Sequence, residues 1–531
     1  MDALEAVRPL LPAWVPFAAL ALWAPAAWLL AWACAGLARR VAIAPYRRLP
    51  PETPWMLRAR HAYPARHATA FATVLSMSVL GALCFLAARP RPALSIVPAP
   101  ALVLLVCACA YLGGTVVSSG LAGELGLASR RVRALARDDF VVSVLLVPHF
   151  LLVVGVAPSI RTPLGATDAL VFAGLALVLV AIAFGAALRL LGWLRLALPA
   201  PERVRTAVRA AAQALATPEP SVDVVHWGAA NAFAFPLAGR LAFTSRALDV
   251  LDDDEIRAIA LHEIGHLREP LLVRVARAAM LFALLPLAGI VAVLELAGPP
   301  GALALLAALF VLVRLFRRLA RKMEQRADQV ALCGADHSPV YARALERIYA
   351  ANLAPAVVAG RSVHPPLYDR LVAAGASPAY ARPDPPSRKR LWAGVAAAIA
   401  PLVPAATLLA GLPLLLIPAS VHSERASDLA LALQPDAGLL LRRAMLEDAL
   451  GHSDAALAFA AASTALEPDF IGPFALRATV LAREGRCEEA EQSFLQAEER
   501  NTDGAGDDWL VSAEAALETC APRPDPARSP V

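Results

Sequence analysis

Eight apolar stretches divide this chain, and a bilayer crossing takes about 20 helical residues. They lie at about 10–37, 68–87, 94–118, 140–157, 169–191, 275–297, 300–316 and 391–418. A chain of 531 residues so divided cannot close around one water-soluble core: 58% of it is hydrophobic, 18% is charged, and the mean hydropathy is +0.57. A polytopic membrane bundle of about eight spans is expected. The first stretch contains Pro12, Pro16 and Pro25, which predicts a kinked helix. A signal peptide is the rival reading, but the stretch is longer than a typical h-region and shows no small-residue cleavage site, so a retained span is expected.

Short cytoplasmic loops carry excess Lys and Arg. The connection at 38–67 holds Arg39, Arg40, Arg47, Arg48, Arg58, Arg60 and Arg66, and that at 119–139 holds Arg130, Arg131, Arg133 and Arg137. The alternate connections hold only Arg89 and Arg91, then Arg161. This places the start of the chain outside, the segment after residue 199 inside, and the end of the chain outside; Arg388, Lys389 and Arg390 before the last span agree. Charge is also divided along the chain, since residues 421–531 carry 20 Asp and Glu against 9 Lys and Arg. Only two of the 49 basic residues are lysine, a compositional hint of a bacterial inner membrane. Cys34, Cys84, Cys107 and Cys109 fall in apolar runs and are read as ordinary buried thiols.

Residues 199–270 are polar enough to fold in water. A helix is expected at 201–216, short strands at 221–226, 231–235 and 240–244, and a helix opening at Asp252 with Glu255 as its capping-box partner. That helix carries His262-Glu263-Ile264-Gly265-His266. Residues four apart share a helix face, so both imidazoles can reach one ion, and Glu263 stands one step round as a base. With ten histidines, this pattern arises by chance in roughly one such chain in a hundred, so a third ligand is required. Glu324 supplies it if the two spans between return the chain to the same side. Asp328, one turn on, can then hydrogen-bond a ligand histidine. Taken alone, a Glu and an Asp on an Arg-rich helix are more often a solvated face.

Four landmarks occur in order: Asn231-Ala232-Phe233, HEIGH, Glu324 to Asp328 as E-x-x-A-D, and Ser362-Val363-His364-Pro365-Pro366-Leu367 with Arg370. Over about 200–375 the chain resembles the M48 family of zinc metallopeptidases, in its CAAX prenyl protease and HtpX-like branches. The resemblance implies a small α+β, gluzincin-like catalytic domain at 199–390 containing a transmembrane hairpin at 275–316. It implies one Zn²⁺ per chain on His262, His266 and Glu324, with Asp328 behind them and Glu263 as general base. His364, with Arg370 in support, corresponds to a His/Arg pair that stabilises the oxyanion; a surface histidine before two prolines is the plain alternative for His364. Asn231, Ala232 and Phe233 correspond to an edge strand that receives an extended peptide. His149 and His226 are given no role.

The fold class expected is therefore mainly α: five spans in 1–198, the catalytic domain, a last span at 391–418, a repeat region at 424–520 and a disordered tail at 521–531. In the repeat region Ala444, Gly451 and Ala456 recur 34 residues on as Ala478, Gly485 and Ala490, and Leu433-Gln434-Pro435-Asp436 recurs with an offset of 33 as Leu466-Glu467-Pro468-Asp469. A period of 34 resembles tetratricopeptide repeats, with an alanine-rich bundle as the alternative. Such repeats imply a protein partner, and outside the membrane Cys487 and Cys520 would share an oxidising space, their pairing left open. The partners expected are a membrane-associated polypeptide substrate and the lipid bilayer, with no nucleic acid. Two other classes stay in view: a site-2-type protease, whose motif lies inside a span, and a non-catalytic scaffold.

Overall fold

The computed structural model describes residues 7–12, 15–87, 99–127, 138–143, 160, 164–332, 338–358, 364–420, 423–433, 436–502, 504 and 506–520. The expected span at 140–157, His149, the 128–137 arginines, Ser362, Val363 and the 521–531 tail lie wholly or mostly outside them. The chain forms two compact units, Ala24–Ala82 with Val103–Ala405, and Met1–Trp23 with Leu83–Leu102 and Ala406–Val531.

The first apolar helices are α1 (Val15–Ile43, with Pro25 inside), α2 (Trp55–Ala87) and α3 (Ala99–Glu124). They meet through small side chains: Ala35, Ala38 and Ala42 of α1 and Ala59, Ala62, Ala65, Ala68 and Ala72 of α2 are fully buried in one cluster with Leu121. Small residues let helix backbones approach where lipid offers no hydrophobic drive. α2 begins 13 residues before the expected boundary, so Arg58, Arg60 and Arg66 sit on a helix rather than in a loop. Hydropathy detects only the lipid-facing part of such a helix.

The expected fifth span is bent. α4 (Ala166–Ala183) and α5 (Ala186–Trp193) meet at 77° because Gly185 adopts φ 80°, a left-handed value open to glycine. The expected hairpin also differs. Its first arm is broken into α9 (Leu271–Ala279), two 3₁₀ turns containing Pro286, and the start of α10 (Ile290–Ala331). α10 is interrupted at Gly298 (φ 61°, ψ −166°), ahead of Pro299 and Pro300, so the expected turn is present without a regular helix of spanning length before it. Among the described residues five helices are long and apolar enough to cross a membrane, or six if the bent pair is one span. The last is within α13 (Arg388–Ser420).

Between α5 and α9 lies a four-stranded sheet in the order β1-β2-β4-β3, made of β1 (Ala197–Pro199), β2 (Ser221–Val225), β3 (Ala232–Phe235) and β4 (Arg240–Thr244). β2 and β4 are parallel and β3 is antiparallel to β4, so β3 stands at the edge. α6 (Glu202–Ala214), the short α7 (Ser245–Val250) and α8 (Asp253–Leu267) follow the order of the chain. α8 opens with the expected box: Asp252 accepts from the Glu255 amide and Glu255 from the Asp252 amide. The Glu255 carboxylate, fully buried, also takes hydrogen bonds from Arg343 (2.8 Å) and Arg347 (2.7 Å) of α11 (Ser338–Ala351). α8, the sheet, α11 and α12 (Leu367–Ala373) share one core around Phe243, Ile256, Leu261, Tyr341 and Leu367.

The other unit ends in six helices, α14 (Glu424–Leu433), α15 (Ala437–Ala449), α16 (Ser453–Leu466), α17 (Ile471–Arg483), α18 (Cys487–Arg500) and α19 (Asp507–Glu518). α15 and α16 start 34 residues before α17 and α18. The period resides in equivalent roles: Ala444, Ala456, Ala478 and Ala490 are all fully buried, and Gly451 and Gly485 both end helices at positive φ. Cys487 and Cys520 form a disulfide.

Candidate metal centre

Three side chains from two helices converge. His262 and His266 project from one face of α8 and Glu324 from α10, all more than nine-tenths buried. Glu324 Oε2 lies 3.6 Å from His262 Nε2, and Glu324 Oε1 lies 3.5 Å from His266 Nε2. One ligand atom from each lies within 4.8 Å of the others. The helices can approach because residue 265 is glycine: a Cβ there would stand 3.2 Å from the Ala327 Cα.

The outward ring nitrogens are engaged elsewhere, which is what metal-ligating histidines require. His262 Nδ1 is 3.1 Å from Asp328 Oδ1 and 2.9 Å from the Tyr341 hydroxyl. Tyr341 donates to Asp328 (2.6 Å) and accepts from Arg370 Nη2 (2.8 Å), while Arg370 grips both Asp328 oxygens at 2.6 and 3.0 Å. Burial pushes the Tyr341 hydroxyl well above its ordinary pKa, so it remains a donor to the carboxylate. His266 Nδ1 lies 2.8 Å from Glu269 Oε1. Arg277 Nη1 is 2.8 Å from both atoms and donates to the carboxylate; with Nδ1 giving its own proton to Glu269, the ring nitrogen has no lone pair for the arginine. Both Nε2 atoms are thereby left to face Glu324.

The donor set fits a divalent cation, and Zn²⁺ in particular, which takes His nitrogen and carboxylate oxygen in four-coordinate sites. Two observations support the fit. Glu324 Oε2 is buried without a hydrogen bond of acceptable geometry, although His364 Nδ1 is 2.8 Å away. Burial lowers the pKa of His262, yet Asp328 and Glu324 outweigh it and hold the ring at about 9, so the pocket favours positive charge.

Glu263, 8% exposed, opens with these residues onto a cleft of about 480 Å³ that also includes Ala229–Ala234, Tyr349, Asn352 and His364. Of the residues singled out from sequence, Asn231, Ala232 and Phe233 run along this cleft, and His364 stands at its rim, 55% exposed. Arg370 also lines the cleft, its guanidinium bonded to Asp328 and Tyr341 behind the His262 ring. Sequence reading missed Glu269, Arg277, Tyr341 and Asn352. Glu269 had a local signal, three residues beyond His266 on the same face, whereas Tyr341, 79 residues from His262, had none.

Residues 200–393 match the model of peptidase family M48. Over 53 residues the chain is 53% identical to the Protease HtpX homolog of Picrophilus torridus, a stretch amounting to 9% of this chain and 17% of that protein's length. The convergent His-His-Glu cluster lies within residues 200–393, the segment that matches peptidase family M48.

Proposed function

We propose that the protein is an integral-membrane zinc metalloendopeptidase acting in membrane-protein quality control or peptide processing. The observation that carries this is the convergence of His262 Nε2, His266 Nε2 and Glu324 beside Glu263, with both opposite ring nitrogens anchored. A zinc ion held by His262, His266 and Glu324 would supply Lewis acidity toward a carbonyl oxygen and toward water. Glu263 accepts the proton of the attacking water and hands it to the leaving nitrogen. His364, at the rim, donates to the developing oxyanion. Asp328, Tyr341 and Arg370 orient the His262 ring; Glu269 and Arg277 do the same for His266. The edge of β3 receives the substrate backbone, which implies loose side-chain specificity.

The purified full chain in detergent is expected to cleave an unfolded polypeptide, to lose that activity to a zinc chelator, and to regain it when zinc is returned. Cleavage that persists at full rate in the chelator would sink the proposal. A site-2-type reading is disfavoured because α8, with three acidic residues in its first turn, is not among the helices fit to cross a membrane. A scaffold reading leaves the assembled cluster without a purpose.

We further place the active site on the cytoplasmic side of a bacterial inner membrane and α14–α19, read as tetratricopeptide-like, on the outer side. The Cys487–Cys520 disulfide supports this, since such bonds persist in oxidising compartments. In cells lysed into a thiol-alkylating reagent, both cysteines should label only after reduction. Full labelling without reduction would put these helices in the cytoplasm.

A further inference from the structure

The outer edge of β3 is closed just before its first residue, and one side chain closes it. In the antiparallel β3–β4 pair, Thr244 N–H donates to the Asn231 carbonyl at 2.9 Å, so Asn231 turns its backbone toward β4. Backbone direction alternates along such a strand. With Ala232 opposite Phe243 and Ala234 opposite Leu241, the N–H and C=O groups of Ala230, Ala232 and Ala234 turn the other way, toward the cleft. Ala230 is already taken: its N–H donates to Asn352 Oδ1 at 2.9 Å, and its carbonyl accepts from Asn352 Nδ2 at 2.7 Å. The side-chain amide thus makes both bonds that a neighbouring strand would make.

We propose that Asn352 is a register-setting residue, a side-chain cap that closes the β3 edge at Ala230 and leaves an extended substrate only Ala232 and Ala234 to pair with. The proposal rests on the peptidase reading of the adjacent site. It gives the cleft something that backbone pairing otherwise lacks, because strand addition along an open edge can slip in steps of two residues. With Ala230 closed, the peptide is fixed against Glu263 and the His262–His266 pair, which line the same cleft. The cap is itself held from a membrane helix: Arg66 of α2 donates to the carbonyl oxygens of Asn352 and Leu353.

The test maps every bond cut in an unfolded polypeptide by the full-length protein, wild type and Asn352→Ala, together with amide exchange at β3. The variant should produce a second set of products displaced by about two residues, the strand period, as the freed Ala230 offers another pairing position. In the wild type without substrate, the Ala230 amide should exchange at least about tenfold more slowly than Ala232 and Ala234, as expected of a bonded amide beside open ones. A merely structural role would lower the rate and leave the cut bonds unchanged, and that result overturns the proposal. So does an Ala230 amide that exchanges as fast as Ala232, a readout that stands even if the variant fails to fold. A wild type that cuts nothing overturns the peptidase reading and this inference together; a wild type that cuts, with a variant cutting the same bonds, overturns this inference alone.

Discussion

Glu263→Gln is expected to lower the rate of peptide hydrolysis by about 10²–10⁴-fold, the usual contribution of a positioned general base, while zinc stays at one per chain. The amide matches the carboxylate in shape but cannot take up a proton. Its place on α8 makes this a clean test, because Glu263 is one residue from His262 and lines the cleft without belonging to the converging ligand set. Zinc content by atomic absorption and turnover of an unfolded polypeptide should therefore separate. A Glu263→Gln enzyme with wild-type turnover would remove Glu263 from the mechanism, and one that also lost zinc would make it a ligand.

Glu324→Gln should produce the opposite pattern, in which metal and activity disappear together. Losing an outer hydrogen-bond partner of a metal ligand weakens binding by about 10–100-fold, and losing a charged ligand should exceed that. After dialysis against a weak chelator the wild type should keep its zinc and the variant should hold almost none. Far-ultraviolet circular dichroism of the two metal-free proteins should coincide, since the side chains are isosteric, which separates ligand loss from misfolding. If the variant retained zinc, the third ligand would have to come from elsewhere. His364, with Nδ1 2.8 Å from Glu324 Oε2, stands closest to that role.

What could be read in advance followed the range of the signal. Asp252 and Glu255 announce the start of α8 because a capping box is written within four residues, and His262 and His266 share a face by helical period alone. Arg240–Thr244 emerged with the expected bounds. β1 did not, since three residues are too few to show alternation and it exists through pairing with β2. Apolar runs located helices but not their ends or breaks: α2 starts at Trp55 because alanines at 59, 62 and 65 pack its polar beginning, and the bend at Gly185 is a backbone property that hydropathy does not register. Within the site, the converging trio and Asp328 were legible, and the other side chains around them were not. Arg370 was found by its neighbourhood in sequence, yet its partners Asp328 and Tyr341 are known only once α10, α11 and α12 are packed.

The contact between Gly265 and Ala327 carries a consequence for how the protein is made. Two ligands leave the ribosome with α8, but the third follows 58 residues later than His266, at the far end of α10. Until α10 has formed and closed on the bare face at Gly265, the nascent chain holds a histidine pair with no carboxylate to complete it. On the peptidase reading, completion of the site thus waits for α10, so the nascent chain cannot hold a finished site when α8 alone has emerged.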